Sequence, residues 1–415
     1  MTLWNPEYRI KVDGSTVTGV TLAGMTITAG RTDIYAQPQP SYCSLSLLEV
    51  NKGSINFDIN DTVLVEVKDT TGTWVSLFGG FISDIAINVD NAGVGSLSQS
   101  INIIAVGALA RLARSVFTGN LSHNADGDMI YEVLSTALFD SWNEVPASLT
   151  WATYDPSVIW TDARNNGLGE IDRPGDFELH SQSDLDETVY NLASRLATSA
   201  LGYLYEDELG RIGYADSTHR SQYLSTYGYV DLDANQAIAP GLNIIKKAGD
   251  VRNSITVGYG ATGSSNVSAQ DLSSIGTYGL LGATVTTTLR NQTDAQAQAD
   301  FYVGIRANPQ FQFNSFTYEL QGTELDDADR NSLLRVFMGL PLNISNLPTN
   351  MSNGSFQGFV EGWTFTAGYN RLRLTLTVSP IAYSLQAFRW NSVPATETWQ
   401  TISPTLDWLN ATIVA

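Results

Sequence analysis

The residues of this 415-residue chain equipped for acid–base or metal chemistry are 42 Asp and Glu side chains and three histidines. His123, His180 and His219 show no ligand-like spacing. His123 precedes Asp126 and Asp128, but His-x-x-Asp-x-Asp falls short of the three or four ligands that a zinc site needs, and it is read as a polar turn opening a helix. Asp231, Asp233 and Asn235 begin like a calcium loop, without the glycine that should follow or the distal glutamate. A glycosidase works with two opposed carboxyls. The place to look for such a pair is Asp155 to Asp186, which holds Trp160, Asp162, Glu170, Asp172, Asp176 and Glu178. Without a cleft to converge on, that stretch reads as a solvated acidic face.

Other nucleophile and cofactor patterns are missing too. Gly167-Leu168-Gly169 lacks the third glycine of a dinucleotide loop, and there is neither a Walker lysine nor a Gly-x-Ser-x-Gly elbow. Cys43 is the single cysteine, which excludes an intrachain disulfide, and it lies on the Leu45/Leu47 side of an alternating run as a small buried hydrophobe. No catalytic, cofactor-binding or metal residue is therefore assigned, and the chain is not expected to be an enzyme.

The elements around these residues are mostly strands. Residues 1–106 alternate with period two at Tyr8/Ile10/Val12, Val17–Leu22, Met25–Thr28, Ile55/Phe57/Ile59, Val63/Val65/Val67 and Ser100–Val106. Asp69 to Trp74 reads as a hairpin turn. The period then changes. A helical turn at Gly107–Arg114 and a helix at about 128–139 lead to an acidic, Trp-rich stretch with few periodic runs. Asp184 with Glu187 has capping-box spacing, which predicts a helix over 184–200 carrying Leu185, Val189, Leu192 and Leu196. Tyr203–Tyr205 and Arg211–Tyr214 then form a hairpin.

Ala239-Pro240-Gly241 marks a boundary, followed by a strand at Ile255–Tyr259, a loop over 260–274, a strand at Val285–Leu289 and a helix capped by Thr293 and Gln296. Gly358 to Pro380 is the clearest hairpin, with Leu372, Leu374, Leu376 and Val378 on one face and Arg371 and Arg373 on the other. The expected architecture is mainly β: a tube-like barrel or sandwich (1–106), an α+β insertion (107–238), a second tube-like β domain with an inserted helix (239–385) and a tail (386–415) holding Trp390, Trp399 and Trp408.

Composition narrows the partners. Hydrophobic residues at 43% support real cores, and charged residues at 15% leave loops polar but uncharged. A net charge of −20 disfavours binding to phosphates. No signal-peptide pattern or membrane-length apolar run occurs, so synthesis in the cytoplasm is expected.

Several runs, in order, resemble the hub-type minor tail proteins of long-tailed bacteriophages. They are Tyr8 to Ile34, Phe78-Gly79-Gly80-Phe81-Ile82-Ser83-Asp84-Ile85, Asp250-Val251-Arg252-Asn253-Ser254-Ile255-Thr256-Val257, the Thr293–Pro309 helix, and Val360-Glu361-Gly362-Trp363 with its hairpin. The resemblance implies a virion protein of the tail tip: a homotrimeric hub whose two tube-like domains per chain present a pseudo-sixfold ring to the tail tube. Implied partners are the tube or distal tail protein, the tape-measure protein, and fibres or other minor tail proteins, with DNA passing through the lumen unbound. The chain ends soon after the second β domain, which favours a structural hub over one with a built-in lytic enzyme. A carbohydrate-binding fibre or adhesin and a tail-associated peptidoglycan hydrolase are the alternatives.

Overall fold

A computed structural model describes residues 4–34, 36–49, 57–91, 97–141, 152–153, 170–237, 244–313, 315–349, 351 and 354–385. The Trp-rich 386–415 segment, Ile55, most of the 140–169 stretch (Asp155, Trp160, Asp162 and the Gly167–Gly169 run included) and the tip of the loop at 92–96 lie outside those residues. The protein is mainly β. One 12-stranded sheet dominates. Its N-terminal strands are β1 (Tyr8–Val12), β2 (Ser15–Thr16), β3 (Val20–Gly30), β4 (Tyr42–Glu49), β5 (Thr62–Lys68), β6 (Trp74–Asn91) and β7 (Leu97–Val106). The turn between β5 and β6 is built by Asp69, whose Oδ1 accepts from the backbone N–H of Thr71 and Thr73, with Gly72 at φ +87°. Phe57 and Ile59 alternate in sequence but lie in coil and a turn ahead of β5. Val20 to Gly30 is one strand, not two, because a bulge between Leu22 and Gly24 absorbs the break in alternation.

The middle of the chain supplies β8 (Val116–Leu121), α1 (Asp126–Ser141), β9 (Gln182–Thr188), α2 (Val189–Ser199), β10 (Tyr203–Glu206), β11 (Ile212–Ala215), α3 (His219–Tyr227) and β12 (Val230–Asp233). The helix predicted from Asp184 begins only at Val189. Leu185 and Glu187 instead pair with Gly119 and Phe117 of β8, and Thr188 is the N-cap, its hydroxyl accepting from Asn191 N–H. Strand pairing takes the segment that a capping box would have started.

Beyond 244 come β13 (Ser254–Tyr259), β14 (Ser265–Gln270), α4 (Leu272–Tyr278), β15 (Gly282–Thr286), α5 (Gln292–Arg306), β16 (Phe316–Glu319), α6 (Asp327–Leu334), β17 (Pro341–Ser345), β18 (Phe356–Gly368) and β19 (Arg371–Pro380). The 260–274 stretch expected as loop contains β14, which pairs antiparallel with β13 along its length. The N-cap of α5 is Asn291 rather than the expected Thr293, whose place is inside the first turn.

Strand order in the large sheet is β12-β17-β18-β3-β4-β7-β6-β5-β1-β2, with β19 on β18 and β16 on β19. The β18–β19 hairpin has the expected alternation, Leu372, Leu374 and Leu376 being fully buried, and turns at Tyr369-Asn370 with Asn370 at φ +53°. On its far side β18 changes partner midway. Residues 356–359 pair with β17 and 362–367 with β3. Val360 and Glu361 lie between, and Glu361 sits at a bulge in the β19 register.

Two cores result. One lies along the large sheet, from Ile27, Leu45 and Val65 to Phe316, Phe365 and Leu374. The second joins α1, α2 and β8 to Val257, Leu289, Ala295 and Ala299 of the β13–α5 region. Two packing relations therefore run across residue 239: β12 extends the large sheet beside β17, and the β13–α5 region shares a core with residues 109–214. The β10–β11 hairpin is the wall between the cores. Tyr203 and Ala215 face the large sheet, while Leu204, Ile212 and Tyr214 face the second core.

Backbones touch where β3 meets β18. Gly30, at φ +82°, has no room for a Cβ against the Glu361 carbonyl, whereas Gly72 has open space. Gly30→Ala is expected to lower the unfolding free energy by about 2–4 kcal/mol, against about 1 kcal/mol for Gly72→Ala. Urea denaturation of the two variants checks the difference.

Candidate functional site

The bulge at Glu361 turns its side chain into the protein, where it is 1% exposed. Arg31, just past the end of β3, donates from Nε to Oε2 at 2.7 Å. Arg220, in the first turn of α3, makes a two-pronged contact at 2.7 and 2.8 Å, and Ser379 of β19 donates its hydroxyl at 2.5 Å. Both oxygens of the carboxylate are saturated. The Arg220 guanidinium also stacks 4.9 Å from the Tyr203 ring and 5.1 Å from that of Phe359. Burial alone would raise the Glu361 carboxyl; Arg220 and Arg31 overcome it and bring the pKa down to about 2. Beside this junction lies a cavity of about 100 Å³ lined by Arg31, Tyr203, Asp216, Arg220 and Ser384 among others.

A second polar cluster gathers at the start of α3. Asp172 Oδ2 lies 2.6 Å from His219 Nδ1 and accepts from the Asp216 N–H at 3.0 Å. Asp216 Oδ1 accepts from the N–H groups of Thr218 and His219 and from the Thr218 hydroxyl, holding the start of α3. Asp126, at the start of α1, accepts from Phe177 N–H at 2.8 Å and from the Tyr214 hydroxyl. Asp176 accepts from Ser217 at 2.6 Å. Glycines let the chains close on these acids: a Cβ at Gly127 would overlap the Asp172 carbonyl, and one at Gly175 the Asp126 carboxylate. Burial, then mutual repulsion, pushes Asp126 and Asp216 up to about 7.

Of the residues weighed from sequence, Asp126, Asp172, Asp176 and His219 converge here. His123 is exposed, His180 places Nδ1 3.0 Å from the Ser181 carbonyl and donates its backbone N–H to the Thr288 carbonyl, and Glu178 faces Arg290 at the surface. Asp128 pairs with Arg173. Asp231 and Asp233 accept from Asn343 and Asn346, lacing β12 to β17 and its following turn. Among the described residues, no group of three or more His, Cys, Asp or Glu is arranged to hold a metal ion. Cys43 is fully buried, which pushes its thiol pKa up. Arg371 and Arg373 both pair with Glu319 of β16, the acidic neighbour they needed.

The sequence reading missed Asp216 and the roles of Arg220 and Glu361. One signal was available: Asp216-Ser217-Thr218 is a run of N-cap residue types ahead of a helix. Glu361 was visible only inside the Val-Glu-Gly-Trp run.

Two solved structures resemble the whole described architecture. The 43 kDa tail protein of prophage MuSo2 from Shewanella oneidensis matches with a TM-score of 0.56 at 11% identity, covering 91% of this chain and 99% of that one. The tail protein from Neisseria meningitidis MC58 matches with a TM-score of 0.57 at 10% identity, covering 92% and 98%. The chain has a phage tail-protein fold. No protein-family model matches it. A search of curated proteins finds no sequence relative.

Removing the charge of Glu361 would leave two arginines facing each other in a dry site. Glu361→Gln is expected to cost about 3–5 kcal/mol of stability, measured by urea unfolding at neutral pH. Because its folded pKa is depressed, the Glu361 contribution is present above the ordinary carboxylate range and is lost as pH falls through about 2.

Proposed function

We propose that the chain is a structural component of a bacteriophage tail: a hub at the tail tip that caps or continues the tube and forms part of the DNA conduit. The observation that carries this reading is a fold shared with two tail proteins over 98% or more of their lengths. The charge supports it. A surface with a net −20 repels a passing duplex instead of holding it.

In this reading three chains form the hub. Residues 1–106 and the strands of 239–385 supply the tube-like walls, and 107–238 is the α+β insertion. The tail tube or distal tail protein stacks on one end, the tape-measure protein enters the lumen, and fibres or other minor tail proteins attach outside. The polar clusters around Glu361 and His219 then serve assembly of the fold, not turnover of a substrate.

Purified chain is expected to elute as a species of about three times 45.0 kDa or to assemble to that mass with its neighbours. Labelled in virions, it is expected at three copies on the tail tip. Six copies along the tube, or lysis of peptidoglycan by the purified chain, would overturn the hub reading.

A further inference from the structure

The start of α3 faces two ways. His219 points into the carboxylate cluster, and the next residue, Arg220, grips Glu361 at the point where β18 passes from β17 to β3. One helical turn thus ties the second core, through Asp126 of α1 and the 172–177 segment, to the large sheet. We propose that this turn is a proton-controlled latch between the two cores, closed while the carboxylate cluster around His219 carries protons and loosened when they leave.

Charged and titratable groups reach the latch from every element packed against it. From α1 come Asp126 and Asp128, the latter paired with Arg173. The following segment gives Asp172 and Asp176, β11 gives Tyr214, and the residue just past its end is Asp216. Tyr203 and Tyr205 of β10 place their rings 6.4 Å from that of His219. Beyond Arg220 stand Glu361 and Arg31. Four carboxylates therefore gather at the approach to α3, Asp172 in contact with the His219 imidazole, while Arg173 and Arg220 are paired with Asp128 and Glu361. Asp172 is 1% exposed and its Oδ1 has no hydrogen-bond partner. A charged cluster in that setting is under strain that protons relieve.

The sign follows. Asp126 and Asp216 start from an ordinary 3.8 and are raised to about 7 when folded. The folded protein therefore holds protons that the unfolded chain has released. The stabilisation is complete below the unfolded value and is lost as pH rises through about 7. Asn at either position imitates the neutral acid.

Hydrogen exchange of the full chain, corrected for the intrinsic rate, tests the latch at about pH 6 and about pH 8.5. Peptides covering 216–227 are expected to lose about tenfold in protection at the higher pH, with β3, β4 and β7 unchanged. In Asp126→Asn/Asp216→Asn that loss should shrink to about twofold or less. Either single variant should retain part of it, which keeps the test decisive if the double variant does not fold. Equal protection of the wild-type helix at both pH values, or an undiminished loss in the Asn variants, would overturn the proposal.

Discussion

The large sheet depends on one buried carboxylate. Three charges leave water at the junction of Glu361, Arg31 and Arg220, and each carries a desolvation penalty of several kcal/mol. What offsets it is geometry: four side-chain donors converge on two oxygens from β3's end, α3 and β19. Replacement by well-packed apolar residues could serve stability equally well. The junction's distinctive contribution is register. Were β18 to slip by one residue, Val360 or Gly362 would occupy the bulge, and two arginines would be left in a dry site without a counter-charge. The bulge therefore fixes, in one place, where β17 stops and β3 begins.

That constraint explains how the ends of the chain come to share a sheet. Thirteen residues of β18 are shared among three neighbours: β19 along one side, β17 and β3 in succession along the other. Close approach there needs Gly30 and Gly362, since a Cβ on either would overlap the opposing backbone. The β10–β11 hairpin carries the same logic to the second core. All four residues of β11 are buried, so its alternation does not separate inside from outside; it assigns side chains to two different interiors. Arg220 and His219, on adjacent positions of α3, divide along that same line.

How much of this was legible depended on whether burial was apolar. The β18–β19 hairpin could be read because its buried face is Leu372, Leu374, Leu376 and Val378, and its turn needs the left-handed conformation that Asn370 supplies. The first half of α1 and the β10–β11 hairpin were legible for similar reasons. The helix α3 was not: the residues it buries are His219, Arg220, Ser221 and Leu224, so no hydrophobic stripe marks it. α6 is similar, with Arg330 fully buried and donating to the carbonyls of Leu320, Gly322 and Leu325. For α2 the stripe was correct and the start wrong, because Leu185 fits helical spacing yet lies in a strand paired with β8. The acid-rich stretch contained two members of the cluster, Asp172 and Asp176. Their partners Asp126 and Asp216 lie far from Asp172 along the chain and are brought to it only by folding, and sequence spacing carries no such information.

The same bookkeeping of buried charge bears on the surface. Among the described residues the core holds five arginines (Arg31, Arg211, Arg220, Arg306 and Arg330) against seven carboxylates. Burial and the neighbouring acids push two of the seven, Asp126 and Asp216, toward the neutral form. Among the described residues the buried set is thus close to electroneutral. Several arginines that reach the surface are neutralised in place, as Arg371 and Arg373 are by Glu319 and Arg9 is by Glu66. No continuous basic track can arise from side chains already paired this way, and a duplex meets repulsion from most directions. For a chain proposed to line a DNA passage, a surface whose arginines are paired with acids and whose excess charge is negative performs that task without any residue having to recognise the DNA.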